Sequence, residues 1–216
     1  MGQKVNPIGI RTGSFLPWRS RWFSDQRGFS DLLVEDIKIR KALMEKLKLA
    51  GITMVEIERQ PKSITITITV SRPGVVIGRG GSGIEDVKKY IVDIMSKVRG
   101  KPVKGIKIDI KINEVKNSDL SAILVAGRIA SELERRIPHR RVVTKVLERI
   151  MASGALGAKV VLGGRINGAE ISRVEKFHLG SVPAQTLRED VDYAQAPALL
   201  KRGYVGVKVW IHKKQD

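Results

Sequence analysis

The sequence predicts an α+β protein of two units. The first reads helix, strand, strand, helix, helix, strand, and the second reads two helices on a small antiparallel sheet. Three observations carry this. Two isoleucine-rich stretches alternate strictly with polar residues, as half-buried strands do. A glycine-rich basic turn, Gly78-Arg79-Gly80-Gly81, sits between them and leads into an amphipathic helix. Beyond residue 116 the pattern restarts with two helical periods and then turns β-like to the end.

Residues 1–34 read as a basic N-terminal extension. Asn6-Pro7, Gly9, Gly13 and Pro17 break any helix, while Lys4, Arg11, Arg19 and Arg21 make the segment cationic. Within it, Pro17-Trp18-Arg19-Ser20-Arg21-Trp22-Phe23 interleaves aromatics with arginines. Such a run either stacks on bases and neutralises phosphates, or uses its rings to pin a tail onto the domain. On the first reading Lys4, Arg11, Trp18, Arg19 and Arg21 are the tail's candidate RNA contacts.

Residues 35–115 form the first unit. A helix is expected over 35–50, where Ile39, Leu43 and Leu47 recur every four residues and Gly51 stops it. A strand follows near 53–59. After the turn at Pro61-Lys62, Ile64, Ile66, Ile68 and Val70 alternate with threonines as the core face of a second strand. Pro73-Gly74 turns the chain into the short apolar run Val75-Val76-Ile77 and the glycine loop. The next helix is expected over 82–98, with Val87, Ile91, Ile94 and Val98 inward and Lys88, Lys89 and Lys97 toward solvent. Gly100, Pro102 and Gly105 punctuate it, and Ile106, Ile108, Ile110 and Ile112 mark a third strand.

Residues 116–216 form the second unit. Asn117-Ser118-Asp119 is a helix-start cluster leading into 120–137, and Pro138 interrupts the chain. Over 139–152, Val143, Val146, Leu147 and Ile150 face one way, while Arg140, Arg141, Lys145 and Arg149 face the other. The β-like stretches are 158–162, 169–176, 191–199 and 205–211, with Gly163-Gly164 and Gly203 at turns.

The chain has 216 residues, 42% of them apolar but only 5% aromatic, so aliphatic side chains must build its cores. Forty basic residues oppose twenty-two acidic ones, a formal charge of +18 that attracts polyanions. Cysteine is absent, which excludes disulfides, thiolate chemistry and Cys-containing zinc sites. No apolar stretch approaches the ~20 residues of a membrane span. No membrane role is therefore expected, and the cytoplasm is the expected compartment.

Gly78-Arg79-Gly80-Gly81-Ser82-Gly83 formally satisfies G-x-G-x-x-G. A dinucleotide site needs a continuous buried strand before the glycines and an acid ~20 residues on, and the chain fits that badly. A P-loop is excluded, since no Gly-Lys-Ser/Thr ends the motif. The shorter G-x-x-G of Gly78, Arg79, Gly80 and Gly81 suits a KH domain, in which such a loop clamps the backbone of about four nucleotides. Arg72 before the loop and Lys88 and Lys89 after it are flanking candidates. The order of elements around the loop is that of a type II KH domain, with a mixed sheet.

Longer motifs agree. Met1-Gly2-Gln3-Lys4-Val5-Asn6-Pro7-Ile8-Gly9-Ile10-Arg11, Ser71-Arg72-Pro73-Gly74-Val75-Val76-Ile77-Gly78, Gly164-Arg165-Ile166-Asn167-Gly168-Ala169-Glu170-Ile171 and Gly206-Val207-Lys208-Val209-Trp210-Ile211 resemble the bacterial-type small-subunit ribosomal protein S-three family almost end to end. The resemblance implies a structural protein of the small-subunit head that binds small-subunit rRNA. It implies proteins ten and fourteen as neighbours, protein two nearby, and a ring with proteins four and five where mRNA enters. It also implies basic residues that grip mRNA and help open its structure. That cluster maps to Arg140, Arg141 and the position three residues on, which here is Thr144, with the charge on Lys145. Many relatives carry two basic residues between the loop glycines, whereas this chain has Arg79 and Gly80.

Without the resemblance, the basic run 135–149 reads equally as RNA contact or as a solvated face paired with Glu134 and Glu148; with it, RNA contact is favoured. No catalytic constellation is legible. His139, His178 and His212 are isolated, and Asp190 and Asp192 read as surface or ion-pairing groups. No cofactor or metal is expected. A free-standing KH regulator of single-stranded RNA and a nucleotide-dependent enzyme are the alternatives to a ribosomal role.

Overall fold

A computed structural model describes residues 4–99 and 105–214, and element counts refer to those residues. Gly100 and Pro102, expected as helix punctuation, and Met1-Gly2-Gln3 of the N-terminal motif lie outside them. The chain divides into two compact units. One is Trp18–Lys116; the other joins the chain through Pro17 to the chain from Asn117. The segment 1–34 is thus not a single extension, because its two halves are anchored in different units.

Arg11 shows why. It ends a one-turn helix, α1 (Pro7–Arg11), opened by Asn6, whose side chain accepts from the Ile8 N–H at 2.9 Å. The Arg11 side chain is 1% exposed. Its guanidinium donates to the carbonyls of Pro7, Thr186 and Glu189, each at 2.9 Å. It therefore offers no surface to RNA, contrary to the reading of the tail. Arg11→Ala will lower the stability of this unit by about 3 kcal/mol, because it strands buried carbonyls; a urea melt of the variant checks this.

In the Trp18–Lys116 unit the elements are β1 (Ser20–Arg21), α2 (Gln26–Lys46), β2 (Ile52–Arg59), β3 (Ser63–Val70), α3 (Pro73–Ile77), α4 (Ser82–Arg99) and β4 (Lys107–Glu114). The sheet order is β1-β2-β3-β4, with β2 antiparallel to β3 and the outer pairings parallel. This is the expected helix-strand-strand-helix-helix-strand order with a two-residue edge strand added. Register places Ile57 beside Ile66 and Ile66 beside Ile110, so isoleucine rows cross the sheet. Ile39 and Leu43 of α2 and Val87, Ile91 and Met95 of α4 close the core over them. Met95, not Val98, is the last fully inward residue of α4.

Helix α2 begins at Gln26, well before residue 35. Residues 35 and 36 thus lie mid-helix, in a buried ionic network that apolar periodicity cannot register. Glu35 and Asp36 are 1% and 2% exposed. Arg59 donates to Glu35 at 2.9 Å and from Nε to Asp36 at 2.8 Å, and Arg99 closes on Glu35 from α4. Asp36 also accepts from the Trp22 indole N–H at 2.8 Å and from the Ser20 hydroxyl at 3.2 Å. Arg40 donates to the Arg19 carbonyl at 2.9 Å. Trp22 further contacts Phe29 with ring centroids 5.2 Å apart. Here the tail is pinned, as one of its two readings holds, through Trp22 rather than through Trp18 or Phe23.

In the other unit α5 (Ala122–Glu134) and α6 (His139–Ala152) cover a sheet of β5 (Gly157–Gly164), β6 (Arg173–Gly180), β7 (Val191–Leu200) and β8 (Gly203–His212). The order is β6-β5-β8-β7, antiparallel throughout. Val160, Leu162, Val207 and Val209 point into the core with Val125, Ile129, Val146 and Ile150. Asn117-Ser118-Asp119 does not start the helix; a short 3₁₀ turn intervenes and α5 opens at Ala122. Its first N–H is capped from a distance by Asp192, which accepts from Ala122 at 3.0 Å and pairs with Lys213 at 3.3 Å. Among the described residues no helix is long and apolar enough to cross a membrane.

Candidate nucleic-acid interface

The glycine loop joins α3 to α4. Pro73 opens α3, since a proline at the first helical position loses no hydrogen bond. The residues before Gly78 are therefore helical, whereas a dinucleotide-binding loop follows a strand, so that alternative falls. Gly78 has φ 69° and ψ −178°, a region essentially reserved for glycine. A Cβ there would stand 2.9 Å from the Gly83 nitrogen, and a Cβ on Gly83 only 2.4 Å from the Val76 carbonyl oxygen. These two glycines let α3 and the start of α4 touch through backbone alone. A Cβ on Gly80 or Gly81 would meet nothing within 4 Å; Arg79 and Gly80 are exposed and Gly81 is half-buried.

Gly83→Val will accordingly cost about 3 kcal/mol or more by forcing α3 and α4 apart, whereas Gly80→Asn, left-handed but unobstructed, will cost under about 1 kcal/mol. Thermal melts of the two variants check the contrast.

The flanking candidates divide. Arg72 and Lys89 are exposed, and Lys88 is half-buried. In the tail Lys4 is exposed and Trp18 keeps 64% of its surface. Arg19 is half-buried, its carbonyl holding the Ile57 N–H at 3.0 Å, and Arg21 pairs with Glu58 at 3.2 Å on the surface.

On α6, Arg140, Arg141, Thr144, Lys145 and Arg149 all lie on the exposed face opposite Val143, Val146 and Ile150. No salt bridge joins these cations to a carboxylate among the described residues. Glu134, one acid considered for pairing, instead accepts from the Leu199 N–H at 3.1 Å. Arg141, Lys145 and Arg149 fall one turn apart on one row, while Thr144 follows Arg140 on the adjacent row.

The corner before α6 adds cations that periodicity does not reveal. Arg136 sits at φ 63° and closes α5 through its N–H to the Leu133 carbonyl at 2.8 Å, a left-handed cap usually made by glycine. Asn167, at φ 53°, accepts through its Oδ1 from His139 Nδ1 at 3.2 Å, and His139 Nε2 meets Glu175 at 2.9 Å. Both left-handed residues line a pocket of about 350 Å³ with Arg165, Lys201 and Arg202, and no carboxylate lines it. The Gly164-Arg165-Ile166-Asn167-Gly168 motif, together with Arg136, Lys201 and Arg202, thus builds a cationic corner that periodicity alone does not signal.

Comparison with known proteins decides the family. A model described as "KH domain" matches residues 38–120, and one described as "Ribosomal protein S3, C-terminal domain" matches 129–211. The chain is 46% identical over 212 residues to a small ribosomal subunit protein uS3 from Clostridium acetobutylicum, covering 98% of this chain and 92% of that protein. The chain belongs to the ribosomal protein S3 family. A uS3 from Pelotomaculum thermopropionicum is 44% identical over 213 residues, 99% of this chain and 88% of that protein. One from Hydrogenovibrio crunogenus is 46% identical over 213 residues, 99% of this chain and 90% of that protein. The α2-to-β4 region is therefore the KH domain of an S3 protein, and the chain is a structural, RNA-binding ribosomal protein rather than an enzyme.

Proposed function

We propose that the chain is a constituent of the small-subunit head that binds rRNA there and helps line the channel where mRNA enters. The observation that carries this is the Gly78–Gly81 loop: exposed, shaped by a glycine-only backbone, and placed at the start of α4, whose free N–H groups favour phosphate. The unpaired α6 cations Arg140, Arg141 and Lys145 supply the grip on incoming mRNA. Proteins ten and fourteen are its neighbours, protein two is nearby, and proteins four and five stand across the mRNA channel. Its compartment is the cytoplasm. Strand opening here needs no hydrolysis by the chain, since single-strand capture during translation supplies the bias.

Replacing Arg79 and Gly80 together with Asp tests the loop. The variant will fold, because both positions are exposed and open, yet lose RNA affinity and show a shallower salt dependence. A binding isotherm series in rising salt that matches the parent chain would refute the loop's role.

A further inference from the structure

The sheet of the C-terminal unit has one face covered by α5 and α6; the other carries a distinct chemistry. Register sets Lys159 between His178 and Trp210, and Trp210 beside Tyr193. The next row on that face sets Val161 between Lys176 and Lys208, followed by Gln195. No carboxylate stands in either row. Glu175 and Asp192 alternate onto the opposite side and are committed to His139 and Lys213. The two rings meet at 5.0 Å between centroids, tilted by 41°, and the Lys159 ammonium lies 5.7 Å over the Trp210 ring.

At one end of this face Val191 and His212 are buried, 1% and 5% exposed. We propose that the exposed remainder is a second RNA surface, where Lys159, Lys176 and Lys208 neutralise phosphates of a single strand whose bases stack on Trp210 and Tyr193. The proposal rests on the RNA-binding reading above and adds a site to it. Rows about 7 Å apart along the strands give consecutive cationic positions, with a stacking platform beside them. Lys4 adds a fourth charge: burial first, then Lys4 and Lys176, hold the Lys159 ammonium below the usual lysine range. Like charges gathered without a counter-ion are unfavourable in the free chain, and a polyanion relieves that repulsion. This also gives Lys4 a place, while its tail companion Arg11 is structural.

The test uses the full chain and a twelve-residue oligouridylate, titrated across a salt series. Replacing Lys159, Lys176 and Lys208 with Gln will flatten the slope of log affinity against log salt by about two, and weaken binding about tenfold or more near 0.15 M salt. Should that variant misfold, Lys176→Gln with Lys208→Gln, both exposed, will still flatten the slope by about 1.4. A 5-iodouridine version of the oligomer will crosslink to Trp210 or Tyr193. An unchanged slope with no crosslink at either ring would overturn the proposal. If only the Arg79/Gly80 variant loses affinity, the RNA reading stands and the sheet surface fails. If the parent chain binds no RNA, both fail. Loss of assembly into subunits at unchanged RNA affinity would mark an acidic protein partner instead, and would also overturn it.

Discussion

Replacing Asp36 with alanine will destabilise the Trp18–Lys116 unit by about 3–5 kcal/mol, a large fraction of the about 5–15 kcal/mol expected of a domain this size. The variant deletes one carboxylate but strands three donors: the Arg59 guanidinium, the Trp22 indole and the Ser20 hydroxyl. Arg59 is itself buried, its side chain only 6% exposed, so its charge would lack half its compensation. Loss of the Ser20 and Trp22 bonds also leaves Arg40, through the Arg19 carbonyl and the Ser20 hydroxyl, to hold the two-residue strand β1 to α2. Equilibrium urea unfolding, followed through tryptophan emission, measures the change. The internal control is the surface pair Arg21–Glu58, with side chains 54% and 49% exposed. Glu58→Ala will shift stability by less than about 1 kcal/mol, because water and salt screen that pair. Equal effects of the two variants would mean that burial does not set the value of these contacts.

The double substitution of Arg140 and Arg141 with alanine will leave the fold intact and impair translation selectively. Both side chains project from α6 into solvent, so their removal leaves no cavity and no stranded partner. A charged hydrogen bond to phosphate contributes about 1.5 kcal/mol, so losing two weakens local strand capture about a hundredfold. Messages with a stable hairpin just downstream will slow markedly, since capture of each opened nucleotide no longer opposes reclosure. Unstructured messages will translate nearly as before. Reconstituted translation of matched hairpin and linear reporters reads the ratio. Equal slowing of both would assign Arg140 and Arg141 to assembly, not to strand opening. Thr144→Lys is the converse: it restores a cation one turn after Arg140, and will raise the hairpin reporter relative to the parent chain.

Much of this architecture is legible in the sequence because its strands obey period two. Ile64, Ile66, Ile68 and Val70 are all buried on one face, as their alternation requires, and α6 spans the residues its apolar period marks. What stayed hidden depends on groups distant in sequence. Glu35 and Asp36 look like solvent-facing acids until Arg59 and Arg99 arrive from β2 and α4. Arg11 looks like one more basic tail residue until the carbonyls of 183–189 surround it. The start of α5 is displaced because its cap, Asp192, comes from β7 and not from the local Asn-Ser-Asp cluster.

The glycine loop divides in the same way. Its four residues were legible as a G-x-x-G turn, and their exposure at Arg79 and Gly80 follows directly. That Gly83, formally the last glycine of a dinucleotide motif, instead separates two helices from collision is a tertiary fact. The row of Lys159, Trp210 and Tyr193 is likewise invisible to a linear reading, since three strands contribute one residue each.

The central claim is that the chain is held in a ribonucleoprotein by cationic surfaces and the Gly78–Gly81 loop. Sucrose-gradient sedimentation of a cell lysate at high magnesium, with the chain followed by antibody, tests it most directly. The account predicts the chain in the small-subunit and whole-ribosome fractions, with little at the top of the gradient. A pool that remains mostly free would contradict it.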